Sequence, residues 1–258
     1  MNPYTISPIS DGQYHVRIYL DEWLPRTRIL EFKKRYDDIC REDSDFKNVS
    51  YLDGHILQYR SESLFPFPTL ETIASPKKKV MIIFGNPASH SVANGMFFFS
   101  KKNDNRHQFW GKLENAGLID NKTINCTSIS KIEKRRTEAH ERKELIEKGD
   151  FSSYYLIGLT TFYSFPTPVR PDKKQKNPIK YDYGDAQGVE RLFEHCLDNL
   201  QKMEFDRLNS YDFAKNASWI FTQYSSYLYT KGFNRIDYWP LRGAGSSGNN
   251  LKKILLDP

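Results

Sequence analysis

The chain has 258 residues, 38% of them hydrophobic and 27% charged, and its 38 lysines and arginines against 32 acidic residues leave a net charge of +6. That is enough apolar material for one large domain or two small ones, and it excludes a disordered tail. No apolar run approaches the ~20 residues that span a bilayer. The opening MNPYTISPISDG has no charged segment followed by an apolar one, so a cytoplasmic protein without a membrane partner is expected. Three cysteines, Cys40, Cys126 and Cys196, are odd in number and far apart, and the six histidines form no HxxxH or HxH pair. A disulfide framework, a four-cysteine cluster and a locally written metal site are thereby disfavoured, and neither metal nor cofactor is expected.

In chain order, residues 1–75 read as an N-terminal extension of unassigned role, ahead of a main domain over 76–258. Within it Leu20 to Leu24 is a short apolar stretch, and Ile29, Phe32, Tyr36, Ile39 and Cys40 recur at helical spacing from Thr27 to Arg41. Phe65-Pro66-Phe67-Pro68 is a connector. The main domain opens with a buried-type strand, Val80 to Phe84, a turn at Gly85-Asn86-Pro87, and a helix from Gln108 to Ala116 closed by Gly117. Lys131 to Lys148 mixes charges as a solvated helix does. Tyr154 to Thr161 is a second buried-type strand, and Val189, Leu192, Phe193, Cys196, Leu197 and Leu200 predict one amphipathic helix from Asp185 to Met203. Ser218 to Thr222, Ser225 to Lys231, Arg235 to Trp239 and Asn249 to Leu256 repeat the alternation on a smaller scale. Strands alternating with helices predict an α/β fold, a three-layer αβα domain on a short central parallel sheet. Chemistry in such sheets gathers at the carboxyl ends of the strands, here 85–91, 160–165 and 241–250.

The segment FGNPASHSVANGMFFF, followed by NRHQFWGKLENAGLI, resembles the uracil-DNA glycosylase superfamily, and in pattern its mismatch-specific uracil and thymine glycosylases. Those have a hydrophobic strand, a Gly-x-Asn-Pro-Gly loop, a Gly-x-x-Phe element, and Asn-Arg-Phe-Trp opening a helix that ends Ala-Gly. Asn86-Pro87, Gly95 with Phe98, Arg106, Phe109-Trp110 and Ala116-Gly117 match in that order, with extra residues before Phe109. Gly158-Leu159-Thr160-Thr161 and Phe165-Pro166-Thr167 are similar to the family's Gly-Val-Thr strand end and its Arg-Pro-Thr turn. The loop Leu241 to Asn250 stands where the family has a serine-containing DNA loop. Phe84 and Ala88 replace two family glycines, and PLRGAGSSGNN departs from the family's C-terminal loop. Standing alone, Asn-Pro is a turn and Phe97 to Phe99 are core.

The resemblance implies a monofunctional DNA glycosylase: no lysine nucleophile stands in the motif loop, so no strand-cleaving step follows. Hydrolysis of an N-glycosidic bond needs the base out of the stack, a water aimed at the anomeric carbon, and stabilisation of a base that leaves with negative charge. The resemblance gives Asn86 the water, Phe98 the stacked base and Thr161 the base's polar edge, with Gly85, Ser89 and His90 on the same pocket loop. Arg242, Ser246, Ser247 and Asn249 would grip the DNA backbone, since the Gly243 to Gly248 match to GxGxxG has too little chain after it for a dinucleotide fold. Lys173 and Lys174 lie in a second basic stretch, 165–180, of net charge +4. A monomer acting on double-stranded DNA is expected, in base excision repair of uracil or thymine opposite guanine. Two alternatives stand beside it: an anti-phage defence enzyme that excises a hypermodified, for example glucosylated, phage cytosine, and a catalytically silent DNA-binding module of the same fold.

Overall fold

The computed structural model describes residues 3–10, 12–99, 108–120, 131–151, 153–170, 177–231 and 236–256. Arg106, Cys126, Lys173 and Lys174 lie outside them. The chain divides by its own packing into two compact units that alternate along the sequence: 1–63 with 85–97 and 161–208, and 64–84 with 98–160 and 209–258.

The first unit is built on alternation. In β2 (Gln13–Tyr19) Tyr14, Val16 and Ile18 are buried while His15 and Arg17 face solvent, the period-two pattern of a half-covered sheet. With β1 (Tyr4–Ser10), β3 (Ser50–Asp53) and β4 (Ile56–Glu62) it forms an antiparallel sheet of order β1-β2-β4-β3. Leu20–Glu22 is one turn of 3-10 helix. The predicted helix at Thr27 is α1 (Arg26–Glu42), burying Phe32, Tyr36 and Ile39. Asp43 caps α2 (Ser44–Val49), its side chain accepting from the Phe46 amide at 2.9 Å. Phe165 packs edge-on against Phe46, Tyr59 and Phe193, and Phe193 against Phe32. This aromatic core draws 161–208 onto the N-terminal sheet, which is why the division does not fall at residue 75.

The same unit carries α4 (Ser89–Ala93), α7 (Pro178–Tyr183), α8 (Asp185–Leu192) and most of α9 (Leu197–Ser210). The continuous helix expected from Asp185 to Met203 is therefore two. Its apolar positions would suit one helix, but Phe193 leaves helical geometry, with φ −97° and ψ 16°, and inserts fully buried between Phe32 and Phe165. Tertiary packing overrides local periodicity there.

The second unit holds α3 (Leu70–Ile73), the sheet strands β5 (Lys78–Phe84), β6 (Tyr155–Thr161), β7 (Ala217–Phe221) and β8 (Ile236–Tyr238), and α5 (Gln108–Asn115), α6 (Lys131–Lys148), α10 (Tyr224–Thr230) and α11 (Gly248–Leu256). Thr161, the last residue of β6, is counted with the first unit. The strand order is β6-β5-β7-β8, with β5–β7 and β7–β8 parallel. Helices flank this sheet in a three-layer αβα arrangement. Val80 to Phe84 are all buried, as expected of a strand covered on both faces. Helix α6 is not wholly solvated: Ile146 is buried and Arg142 lies 5.3 Å above the Trp110 ring. No helix of the described residues is long and apolar enough to cross a membrane.

Candidate functional site

Beyond β5 the motif loop is laced to residues 163–167 by backbone hydrogen bonds. Gly85 O accepts from Tyr163 N at 2.8 Å, Pro87 O from Thr167 N at 3.1 Å, and Thr167 O from Ser89 N at 2.9 Å. Proline at 87 has no amide to offer, and the loop uses its carbonyl instead. The half-buried Asn86 then points Nδ2 at three acceptors: Thr167 Oγ1 at 2.7 Å, Pro87 O at 3.1 Å and Phe165 O at 3.4 Å. Two carbonyls and a hydroxyl around one atom identify it as the amide nitrogen. Among the described residues no donor reaches Asn86 Oδ1. The side chain is thus fixed through its nitrogen and keeps its acceptor for a water.

Thr167 is itself held, its hydroxyl donating to Asp185 O at 3.4 Å. Asp185 takes the left-handed conformation, φ +62°, at the first residue of α8, an arrangement that costs about 1 kcal/mol or more and needs surrounding packing to persist. Gly184 supplies part of that packing, because a Cβ there would stand 2.5 Å from Lys180 O and 2.9 Å from Arg170 Cα.

A fully buried ion pair anchors the start of the same stretch. Glu204 and Arg207 stand three residues apart on α9, with side chains 0% exposed and Nε 2.6 Å from Oε2. Glu204 Oε1 accepts from Ser164 N at 2.6 Å and Ser164 Oγ at 2.5 Å, and Oε2 also accepts from Tyr4 Oη at 3.1 Å. Arg207 Nη2 donates to the carbonyls of Thr161 and Phe162. Both Glu204 oxygens and the Arg207 Nε and Nη2 gain partners here, which is the condition for keeping such charges inside. Burial pushes the phenols of Tyr4 and Tyr59 well above their usual range, with the Glu204 charge adding to it.

Of the predicted pocket residues, Thr161 is fully buried and its Oγ1 has no hydrogen-bond partner among the described residues. Such a hydroxyl costs about 1–3 kcal/mol until something meets it. Ser89 is already engaged: it is 1% exposed, and its Oγ lies 3.3 Å from Asp43 Oδ1. His90 is half-buried, and its carbonyl accepts from Asn94.

Phe98 belongs to the second unit. Its ring stacks on Phe109 with centroids 4.2 Å apart and meets Phe84 edge-on at 4.9 Å. One ring face is therefore taken by protein. Its backbone is left-handed, φ +55°, a strained state for a bulky residue. Helix α5 links Phe109 to the C-terminal loop, because Lys112 Nζ donates to Leu241 O at 2.6 Å. Burial, then the neighbouring Arg242 charge, lower the Lys112 pKa.

Arg242 and Asn249 are exposed, and no carboxylate pairs with Arg242 among the described residues. The loop is built rather than slack. Gly243 and Gly245 take φ of +80° and +86°, Trp239 Nε1 donates to Ser247 O at 3.2 Å, and Ser247 Oγ caps α11 by accepting from Asn250 N at 3.2 Å. Ser247 thus spends its hydroxyl on the helix, whereas Ser246 contributes a backbone N–H to Gly243 O at 3.3 Å.

Elsewhere, Glu31, Glu194 and His195 bring ligand atoms within 4.8 Å of one another. Arg35 Nη2 sits against both carboxylates, at 2.6 and 2.5 Å, so a guanidinium already occupies the place of a cation.

Sequence reasoning missed Thr167 as the partner of Asn86, and it missed Asp185, Glu204 and Arg207 altogether. Thr167 carried a signal, the Pro-Thr turn. A Glu-x-x-Arg pair on a polar helix carries none, since the same pair on a solvated face reads identically. No known protein family and no curated protein matches this chain.

Proposed function

We propose that the chain is a monofunctional DNA glycosylase in which Asn86 holds the hydrolytic water. The observation that carries the reading is the asymmetric bonding of that side chain: Nδ2 is committed to Thr167 Oγ1 and two carbonyls, and Oδ1 is left as an acceptor. A water donating to Oδ1 has its oxygen lone pair directed at the anomeric carbon of an extruded nucleotide. Its oxygen bonds to C1′ as the C1′–N bond breaks, and the base leaves with the electron pair. The proton lost by the water passes to solvent or to the departing base, because an amide is not a general base.

Such a site gains rate chiefly from positioning and from stabilising the anionic base. Thr161, whose buried hydroxyl lacks a partner, is the donor within this reading for the base's polar edge. Arg242 and the exposed turn beside it supply backbone contact.

The test is a panel of duplexes carrying uracil, mismatched thymine or modified cytosine, each assayed for abasic sites by alkaline cleavage. One substrate class should yield free base, and Asn86→Ala should slow its single-turnover release by about a hundredfold or more at unchanged DNA affinity. A silent DNA-binding module would bind and release nothing. Full activity of Asn86→Ala would remove the mechanism.

A further inference from the structure

The outer face of the N-terminal antiparallel sheet is distant in sequence from Asn86, Thr161, Thr167 and Arg242, and it carries two arginines and an exposed tyrosine. The pairing register sets Arg17, Gln58 and Tyr51 side by side across β2, β4 and β3, and sets His15 beside Arg60 in the next row. Neighbouring strands stand about 4.8 Å apart and successive same-face rows about 7 Å apart, so these side chains form one continuous patch.

Its charges are not matched internally. Arg17 donates to the neutral Gln58 Oε1 at 3.1 Å and Arg60 to the Asn48 carbonyl at 3.2 Å. Among the described residues no carboxylate pairs with either. On α1, by contrast, Arg28, Arg35 and Arg41 each meet a glutamate or aspartate. Two acids share the face at its ends: Asp53 closes β3 beyond Tyr51, and Glu62, two residues on from Arg60, is buried. Tyr51 is 61% exposed, with no ring partner among the described residues.

Two guanidiniums bonded only to neutral oxygens have further N–H donors for anionic ones, and an exposed aromatic on a flat sheet offers a base a stacking surface. A duplex hides its base faces and is read by elements that enter a groove. An unpaired strand presents both its phosphates and its bases. We propose that this sheet face binds single-stranded DNA, with Arg17 and Arg60 on the phosphates and Tyr51 stacked on a base. It does not depend on the glycosylase reading; where both hold, it gives the N-terminal sheet a second DNA contact.

The experiment is fluorescence anisotropy of the full chain with labelled oligo-dT of about 12 nucleotides, within the size range of single-strand platforms. Tyr51→Ala should weaken binding about tenfold or more. Arg17→Gln with Arg60→Gln should weaken it further and reduce the slope of log K against log salt by about 1.4, two phosphates at roughly 0.7 each. Circular dichroism should confirm that these surface variants fold. Affinity for a blunt duplex of the same length should be unaffected by Tyr51→Ala. The proposal is overturned if the wild type does not bind oligo-dT at about 0.1 M salt, if the variants bind as tightly as wild type, or if oligo-rU binds more tightly than oligo-dT. None of these readouts involves base release, so they fail or succeed separately from the enzymatic assay.

Discussion

Replacing Glu204 by alanine tests whether the stretch that orients Asn86 is really held from inside. The variant removes the acceptor of four bonds, from Ser164 N, Ser164 Oγ, Tyr4 Oη and Arg207 Nε. It also leaves Arg207 charged in a place where its side chain is 0% exposed. Breaking a buried pair by removing one partner costs about 3–5 kcal/mol, mostly from the charge left behind. At roughly 2–4 °C per kcal/mol for a chain of this size, the melting temperature should fall by about 10 °C.

Differential scanning calorimetry measures the shift, and a companion variant separates charge from position. Glu204→Gln combined with Arg207→Met removes both charges and should recover most of the lost stability. It cannot restore the donors on the Thr161 and Phe162 carbonyls. If the proposed chemistry holds, the double variant should therefore release base about tenfold more slowly in single turnover at wild-type DNA affinity, a positioning loss. A drop of less than about 1 kcal/mol for Glu204→Ala, the value of a solvent-screened pair, would refute the reasoning, as would a double variant whose activity simply follows its melting temperature.

Thr167→Val keeps the shape but removes the hydroxyl that receives Asn86 Nδ2, so single-turnover release should fall about tenfold, and Thr167→Ser should restore it; equal rates for all three would detach Thr167 from Asn86. Arg242→Ala should weaken duplex binding for every sequence and reduce the salt slope by about 0.9, measured by anisotropy at several ionic strengths; a changed choice of base would place Arg242 in the pocket instead. Burial raises the phenols of Tyr4, Tyr36, Tyr59 and Tyr163, while the unfolded chain ionises its tyrosines near pH 10. The folded state then holds more protons, and its stability is complete below about pH 10 and declines as pH rises further. Urea titrations and phenolate absorbance across that range check this, and a flat profile would contradict it.

Short continuous apolar runs by themselves determined β5 and β6, apolar residues at helical spacing determined the helix now α1, and a glycine stop closed the stretch from Gln108 to Gly117, because each of these signals lies within one turn or one pleat of its neighbours. Strands alternating with helices set the α/β class, and the resemblance drew attention to Asn86. Which hydroxyls are spent and which remain was decided elsewhere. Asn86 and Thr167 are 81 residues apart, and Tyr4 and Glu204 are 200 apart; no local pattern reports a bond that exists only once the chain has returned to itself. The break at Phe193 is of the same kind, since helical spacing continues through it and only the aromatic cluster around Phe165 makes the unwound turn the lower-energy arrangement. The burial of Glu204 and Arg207 follows from this rule too. A charge in sequence is drawn to water, and the partners that outweigh water for this pair, Ser164, Tyr4 and two carbonyls, come together only in the fold.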